Sequence, residues 1–175
     1  MAIGLAIALS SMAGLVAASN FLVQYPINDW LTWGALTYPL AFLVNDLTNR
    51  AYGPAKARQV VYVGFALAVV LSIYLATPRI AMASGCAFLV AQLLDTYIFD
   101  KLRNTVWWKA PLLGSVVASF VDTLLFFTLA FAGAGLPLVT LIAGDFAVKV
   151  VLALLFLIPF RAMMPLTRPA SMPSA

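Results

Sequence analysis

Buried carboxylates are the residues of this chain with the clearest chemical potential. Within strongly apolar stretches lie Asp46, Asp95, Asp122 and Asp145. A carboxylate at the centre of a membrane helix costs roughly 2.5 to 3.5 kcal/mol on insertion scales, so it is kept where it has a partner or a use. Asp145 precedes Lys149 by one helical turn, and Asp46 precedes Arg50, in the orientation that favours an ion pair. Asp95 and Asp122 have no such cation, which indicates a protein that moves protons or a polar solute across a membrane.

The composition indicates an integral membrane protein. Hydrophobic residues make up 64% of the 175 residues, charged residues make up 9%, and the mean hydropathy is +1.03. These values lie far from those of soluble globular domains. The chain has no histidine and one cysteine, Cys86, so neither a metal centre nor thiol catalysis is predicted, and no cofactor is expected. We predict a single membrane domain over residues 1–175.

The predicted fold class is an all-α integral membrane protein with six transmembrane helices in one compact bundle. About 20 apolar residues cross the hydrocarbon core, and breaks such as Gly53-Pro54 and Thr77-Pro78 separate the apolar runs. The helices are predicted at residues 3–23, 31–50, 59–76, 80–98, 110–132 and 138–160. The first has no basic segment before it of the kind that begins a signal peptide, so we expect it to be retained.

The basic residues predict the orientation in the membrane. If the N-terminus is cytoplasmic, the basic second and fourth connections and the C-terminal tail face inward, and Arg79 alone faces outward. This asymmetry obeys the positive-inside rule and requires an even number of spans. We therefore expect a multi-pass protein of the bacterial inner (plasma) membrane with both termini cytoplasmic. The net charge of +4 reflects topology, so nucleic acid is not an expected partner.

Polar residues inside the predicted helices recur at helical spacing and must turn from lipid toward the bundle interior. Ser115, Ser119 and Asp122 share one face of the fifth helix, and Gln92 and Asp95 share one face of the fourth. These stripes predict a polar-lined cavity. The alternative is that serine and amide side chains only hydrogen-bond helix to helix, and that tryptophans only anchor the chain at the membrane interface.

Polar blocks follow one another along most of the chain. They are SNFLVQ (19–24), TWGALTYP (32–39), NDLTNRAYG (45–53), QLLD (92–95), FDKLR (99–103), WW (107–108), VDTL (121–124) and DFAVK (145–149). In this order the blocks resemble the queuosine precursor transporters, the vitamin uptake transporter family. The resemblance implies a six-helix protein, similar in architecture to the substrate-binding subunits of energy-coupling-factor transporters. It also implies import of deazaguanine precursors of queuosine for tRNA modification.

The resemblance suggests how a ligand would be held. A deazaguanine presents an N–H beside an exocyclic amine, which a carboxylate accepts, and a carbonyl that needs a donor. We expect Asp122 or Asp145 on the donor edge, Lys149 or an amide of the first helix on the carbonyl, and Trp33 or Phe146 on the flat face. The predicted substrate-binding residues are Asn20, Gln24, Trp33, Gln92, Asp95, Asp122, Asp145, Phe146 and Lys149, and the predicted gating or structural residues are Asn45, Asp46, Asn49 and Arg50.

The sequence leaves the energy source open and allows other functions. Unpaired acids suit proton coupling, whereas small residues along the first helix suit an ATP-driven partner subunit or a second copy of the chain. One alternative is a substrate-binding subunit for another vitamin-like or nucleobase ligand. A minor alternative is an intramembrane aspartyl protease, because Gly144-Asp145 resembles the end of the GxGD signature, although Ile142 replaces its first glycine. A structural subunit without a ligand is a third.

Overall fold

Long helices joined by short connections make up the computed structural model, which describes residues 2–22, 25–28, 31–75, 77–135 and 137–167. The elements in chain order are α1 (Ala2–Leu22), β1 (Pro26–Asn28), β2 (Leu31–Thr32), α2 (Trp33–Thr37), α3 (Leu40–Tyr52), α4 (Pro54–Leu75), α5 (Pro78–Leu102), α6 (Lys109–Phe131) and α7 (Leu138–Met163). Within these ranges the strands are confined to the short antiparallel pair β1 and β2. The predicted all-α fold class is confirmed.

Several helices have the length and composition of membrane spans. Among the described residues, four helices are long and apolar enough to cross a bilayer, namely α4 over Pro54–Tyr74, α5, α6 and α7, and α1 contains a shorter apolar segment at Ile3–Ser19. Large apolar side chains such as Val139 and Ile158 are exposed on the outer faces, where lipid can cover them. These are the features of a multi-pass membrane protein. The count of six spans stays a prediction.

The helix predicted over residues 31–50 is interrupted in the structure. Leu31–Thr32 is a strand, α2 has only five residues, and α3 begins at Leu40, directly after a turn at Tyr38 and Pro39. Proline has no N–H to continue the preceding helix, and its fixed φ suits the start of a new one. The Ser19 hydroxyl, 3.0 Å from that of Thr37, ties α2 to α1. This interruption places Tyr38 inside the bundle.

Glycine and proline also set the ends of the neighbouring helices. Gly53 ends α3 with φ +82°, a conformation that a residue with a side chain rarely adopts. Pro54 follows as the first residue of α4, so this helix begins earlier than the predicted residue 59. At α5, the Thr77 hydroxyl accepts a hydrogen bond from the backbone N–H of Ile80 at 3.4 Å, and Pro78 occupies the first turn.

Close helix packing brings the polar side chains together. The most extensive helix pair is α5 with α6. The largest core cluster joins α1, α3, α4 and α5 through Met12, Val16, Ala41, Val60, Val61, Ala68 and Phe88. A smaller cluster of Phe42, Ala91 and Ala118 joins α3, α5 and α6. Alanine and glycine at these contacts let helix backbones approach, and the interhelical hydrogen bonds described below depend on that approach.

Candidate functional site

A buried ion cluster lies between α6 and α7, near the middle of both helices. Lys149 Nζ lies 2.8 Å from Asp122 Oδ2 and 2.6 Å from Asp145 Oδ2. It also donates to Thr123 Oγ1 at 2.9 Å, and the Thr123 hydroxyl donates to Asp145 Oδ2 at 2.6 Å. We name these four residues the ion cluster. The side chains of Lys149 and Asp122 are 8% and 5% exposed, whereas that of Asp145 is 21% exposed.

The ion cluster is formed by one local pair and one pair between helices. Asp145 and Lys149 are one turn apart on α7, as the sequence predicts, and this ion pair is confirmed. Asp122, interpreted from the sequence as lacking a cation, instead pairs with Lys149 across the helix contact, so that interpretation is wrong. Sequence spacing could not show the second pair, because it joins residues on different helices. Two carboxylates around one ammonium give the cluster a formal charge of −1.

Tyr38 extends the ion cluster toward α3. Its hydroxyl donates to Asp122 Oδ1 at 3.3 Å, and Lys149 Nζ lies 5.9 Å from the centroid of its ring. The ring itself packs edge-on against Phe88, with centroids 6.0 Å apart. Neither Tyr38 nor Thr123 is among the predicted site residues. Their positions in the polar blocks at 32–39 and 121–124 were the feature of the sequence that could have indicated a role in the site.

Of the other predicted substrate-binding residues, two lie apart from the contacts of the ion cluster, and the side chains of two more are not described. Trp33, at the start of α2, is 51% exposed. The ring of Phe146 packs edge-on against Phe120, which is itself 47% exposed on the outer face of α6. Asn20 lies in α1, but its side chain is not described, and Gln24 lies outside the described residues. Their roles in ligand binding stay predictions.

A second buried polar group, here called the carboxyl cluster, lies between α3 and α5. It consists of Asn45, Asp46, Gln92, Asp95 and Thr96, each exposed by 2% or less. The Asn45 amide donates to Asp95 Oδ2 at 2.9 Å, to the Gln92 carbonyl at 3.1 Å and to Thr96 Oγ1 at 3.0 Å. Asp46 completes the cluster, because its carboxyl interacts with that of Asp95. The predicted substrate residues Gln92 and Asp95 therefore belong to this cluster.

The predicted ion pair of Asp46 with Arg50 does not form. Within the described part of the chain, ion pairs join Lys149 to its two acids and Arg103 to Asp100, and none includes Asp46. Asp46 is drawn inward, where it contacts Asp95 and Ser115. Arg50 lies one turn further along, near the end of α3, and its Nε atom is buried without a hydrogen-bond partner among the described residues. The packing between helices therefore overrides the local spacing.

Asn49 binds a cation from another connection. Its amide donates to the Thr96 carbonyl at 2.8 Å, and its side-chain oxygen accepts from Arg103 at 2.6 Å. Arg103 also donates to the Asn49 backbone carbonyl at 3.1 Å and pairs with Asp100 at 2.9 Å. These contacts join the end of α3 to the end of α5. They are the contacts expected of a structural clamp, and a gating role for this end of the bundle stays a prediction.

Together, the helical bundle and its buried charged groups define a multi-pass membrane protein with ionisable side chains held between its helices. The chain belongs to the family described as "Putative vitamin uptake transporter", which matches residues 32–77 and 71–164. No solved structure matches the chain. Similarity to energy-coupling-factor subunits therefore stays a prediction.

Three relatives have related names. The "Probable queuosine precursor transporter" of Haemophilus influenzae is 34% identical over 153 residues, which cover 67% of this chain and 65% of that protein. The "Queuosine precursor transporter" of Escherichia coli is 29% identical over 174 residues, covering 83% and 79% of the two chains. The "Probable queuosine precursor transporter" of Bacillus subtilis is 28% identical over 130 residues, covering 58% and 57%. This chain thus spans less than two thirds of the first and third relatives.

Proposed function

We propose that this protein imports deazaguanine precursors of queuosine across the bacterial inner membrane and so supplies tRNA modification. The names of the three relatives support the substrate and favour a role without catalysis. The observation that carries the site assignment is Lys149 held between Asp122 and Asp145, midway along α6 and α7. Apolar side chains would pack such a contact at lower desolvation cost, so a retained ion cluster at this depth points to a use.

Asp145 is the acid that we assign to the ligand. Its side chain is the most exposed of the three charged groups in the ion cluster. Both contacts that the described residues make with its carboxylate, from Lys149 and Thr123, reach Oδ2. The other oxygen can accept an N–H from the donor edge of a deazaguanine. A hydrogen bond to a charged group of this kind contributes about 1.5 to 3 kcal/mol.

Asp122 is assigned to positioning Lys149. Its two oxygens accept hydrogen bonds from Lys149 and Tyr38, so both are occupied within the protein. Lys149 in turn directs its three N–H groups to Asp122, Asp145 and Thr123. A ligand carbonyl must therefore displace one of these contacts or find another donor. The alternative donors that we propose are the amides that the sequence predicts near the outer end of the first helix, Asn20 and Gln24.

The test compares three isosteric substitutions, Asp145→Asn, Asp122→Asn and Asp100→Asn. Each is expressed in cells that cannot synthesise the precursor, and queuosine in tRNA is measured at limiting precursor together with membrane abundance of the protein. Asp145→Asn should insert normally but lose uptake by about tenfold or more, since one lost charged hydrogen bond is worth that factor. Asp100→Asn, which alters an ion pair at the end of α5, should retain uptake.

The outcomes separate the site from the function. Normal uptake by Asp145→Asn at limiting precursor would reject the assignment of this acid and leave Asp122 as the candidate. Absence of uptake by the wild-type protein, inserted at normal abundance, would reject the proposed substrate and favour another vitamin-like or nucleobase ligand.

We further propose that both termini are cytoplasmic, which the distribution of basic residues supports. The proposed partners are the deazapurine substrate and the lipid bilayer. An energy-coupling subunit or a second copy of the chain stays a prediction from the small residues of α1. One of these residues, Gly4, is already used within the chain, because the Tyr52 hydroxyl lies where a Cβ would be.

A further inference from the structure

We propose that the Asp46–Asp95 pair is a proton-binding site through which the proton gradient drives import. This inference rests on the proposed transport function and adds an energy source to it. The site is distinct from the ion cluster. Ser115, which contacts Asp46, lies about 10 Å from Asp122 along α6, from a rise of roughly 1.5 Å per residue over two turns.

The two carboxyl groups interact with each other, and no cation of the described residues pairs with either of them. Asp46 is 2% exposed and Asp95 is fully buried. The ion pairs of the described residues involve Asp100, Asp122 and Asp145 instead. Two carboxylates are both acceptors and repel each other, whereas one shared proton allows an O–H···O hydrogen bond and removes a buried charge. The contact itself therefore favours a pair that carries one proton.

In the part of the chain that the structure describes, the elements packed around the pair bring other polar groups, and none of their charged side chains forms an ion pair with Asp46 or Asp95. Ser115 of α6 contacts Asp46, and Asn45 of α3 donates to Asp95. The α7 side chains that line the cleft beside Asp46 are apolar. The charged groups of these elements lie elsewhere. Arg50 and Arg161 are near the ends of α3 and α7. Arg103 contacts Asn49 and Asp100, and Lys149 contacts the two acids of the ion cluster.

Independent features of the surroundings point to a small ligand. Asp46 lines a narrow cleft between α3, α6 and α7, and its Oδ1 atom is buried without a hydrogen-bond partner among the described residues. The same holds for Asp95 Oδ1 and for both amide atoms of Gln92, one turn before Asp95 on α5. Buried polar atoms are nearly always satisfied, so these unsatisfied atoms mark a place for a proton and water.

The packing of α6 limits the size of that ligand. A Cβ added at Gly114 would lie 2.6 Å from Asp95 Oδ1, so the backbone of α6 lies directly against this oxygen. A metal cation needs a shell of several oxygen ligands around it. The α6 backbone occupies one side of Asp95 Oδ1, which leaves less room there for such a shell than for a hydrogen atom. The geometry therefore favours a proton over a sodium ion as the coupling ion.

The proposed step is a reversible proton transfer. A hydronium ion from the outer side gives its proton to the carboxylate pair and leaves as water, and the pair later returns the proton to water on the inner side. The change in charge reaches the ion cluster through two helices. Asp46 lies on α3, which begins two residues after Tyr38, the donor to Asp122, and α6 carries both Ser115 and Asp122.

The first experiment measures protonation of the Asp46–Asp95 pair in the purified protein. Infrared difference spectra are recorded during a pH titration of the wild type and of Asp46→Asn, Asp95→Asn and the control Asp100→Asn. The wild type and the control should show the carbonyl band of a protonated carboxylic acid, and it should disappear as the pH rises. Both cluster variants should lack that band. A wild type without it, or cluster variants that keep it, would overturn the proposal.

The second experiment measures the coupling of precursor uptake to the proton gradient, in proteoliposomes into which the same variants are reconstituted. The amide that replaces Asp46 can donate to Asp95 as a protonated acid does, so this variant mimics one fixed state and should fold. It should retain equilibrium exchange of the labelled precursor but lose accumulation under an inward proton gradient by tenfold or more. Accumulation by the wild type that ignores the gradient, or full accumulation by the variant, contradicts the coupling role. Absence of exchange by the wild type refutes the proposed transport function, and the infrared result still decides the proton site.

Discussion

Removing Lys149 provides the sharpest test of the ion cluster. In Lys149→Met, a side chain of similar length but without charge faces Asp122 and Asp145. The substitution removes ion contacts of 2.8 and 2.6 Å and a hydrogen bond of 2.9 Å to Thr123. Breaking a buried ion pair by removing one partner costs about 3 to 5 kcal/mol, because the remaining charge stays buried without compensation. Here two carboxylates remain, so we expect a loss at the upper end of that range.

Two rescue variants distinguish the acids. Asp122→Asn combined with Lys149→Met removes the more deeply buried carboxylate, whose side chain is 5% exposed, and should recover most of the lost stability. Asp145→Asn combined with Lys149→Met removes a carboxylate that is 21% exposed and should recover less. Coupling between these neighbouring sites is expected, so the double variants should differ from the sums of the single variants. Neither double variant should recover uptake.

The assay is thermal unfolding of the purified protein in detergent, with membrane abundance measured in the same cells. Lys149→Met should show a clearly lower melting temperature than the wild type and a lower abundance. A wild-type melting temperature for Lys149→Met would contradict a stabilising role of the ion cluster. If the Asp145→Asn combination restored stability better than the Asp122→Asn combination, burial of the remaining carboxylate would not set the loss of stability.

Three further predictions concern other parts of the molecule. Gly114→Ala should cost about 1 to 3 kcal/mol of stability, because its Cβ would lie 2.6 Å from Asp95 Oδ1, whereas Gly144→Ala has open space and should be tolerated; equal melting temperatures for the two variants would contradict this. Tyr38→Phe should cost at most about 1.5 kcal/mol in melting experiments, because its hydrogen bond to Asp122 is long, at 3.3 Å, and a larger loss would show that this bond is stronger than its length implies. Reporters fused after residue 167 and near residue 29 should report cytoplasmic and outer locations respectively, and an outer C-terminus would refute the orientation.

Composition and local spacing are enough to predict part of this molecule. The fold class follows from apolar runs long enough to cross a bilayer. The pairing of Asp145 with Lys149 follows from one turn of one helix, because neighbours on a helix face are fixed by its period. The importance of the four aspartates followed from the cost of placing charge in lipid. In the structure Asp46, Asp95 and Asp122 are buried, and Asp145 is partly exposed beside Lys149.

The contacts between side chains of different helices become visible in the folded bundle and could not be predicted from the sequence. Asp122 forms an ion pair with Lys149, and the carboxyl group of Asp46 contacts that of Asp95 and does not pair with Arg50. Such contacts depend on how each helix is rotated about its axis and how closely two helices approach. Those quantities are set by the packed alanines and glycines between helices, and they have no signature in the spacing of residues along one helix. Tyr38 reaches the ion cluster for a related reason, because the chain breaks its helix at Pro39 and turns the hydroxyl group inward, toward Asp122.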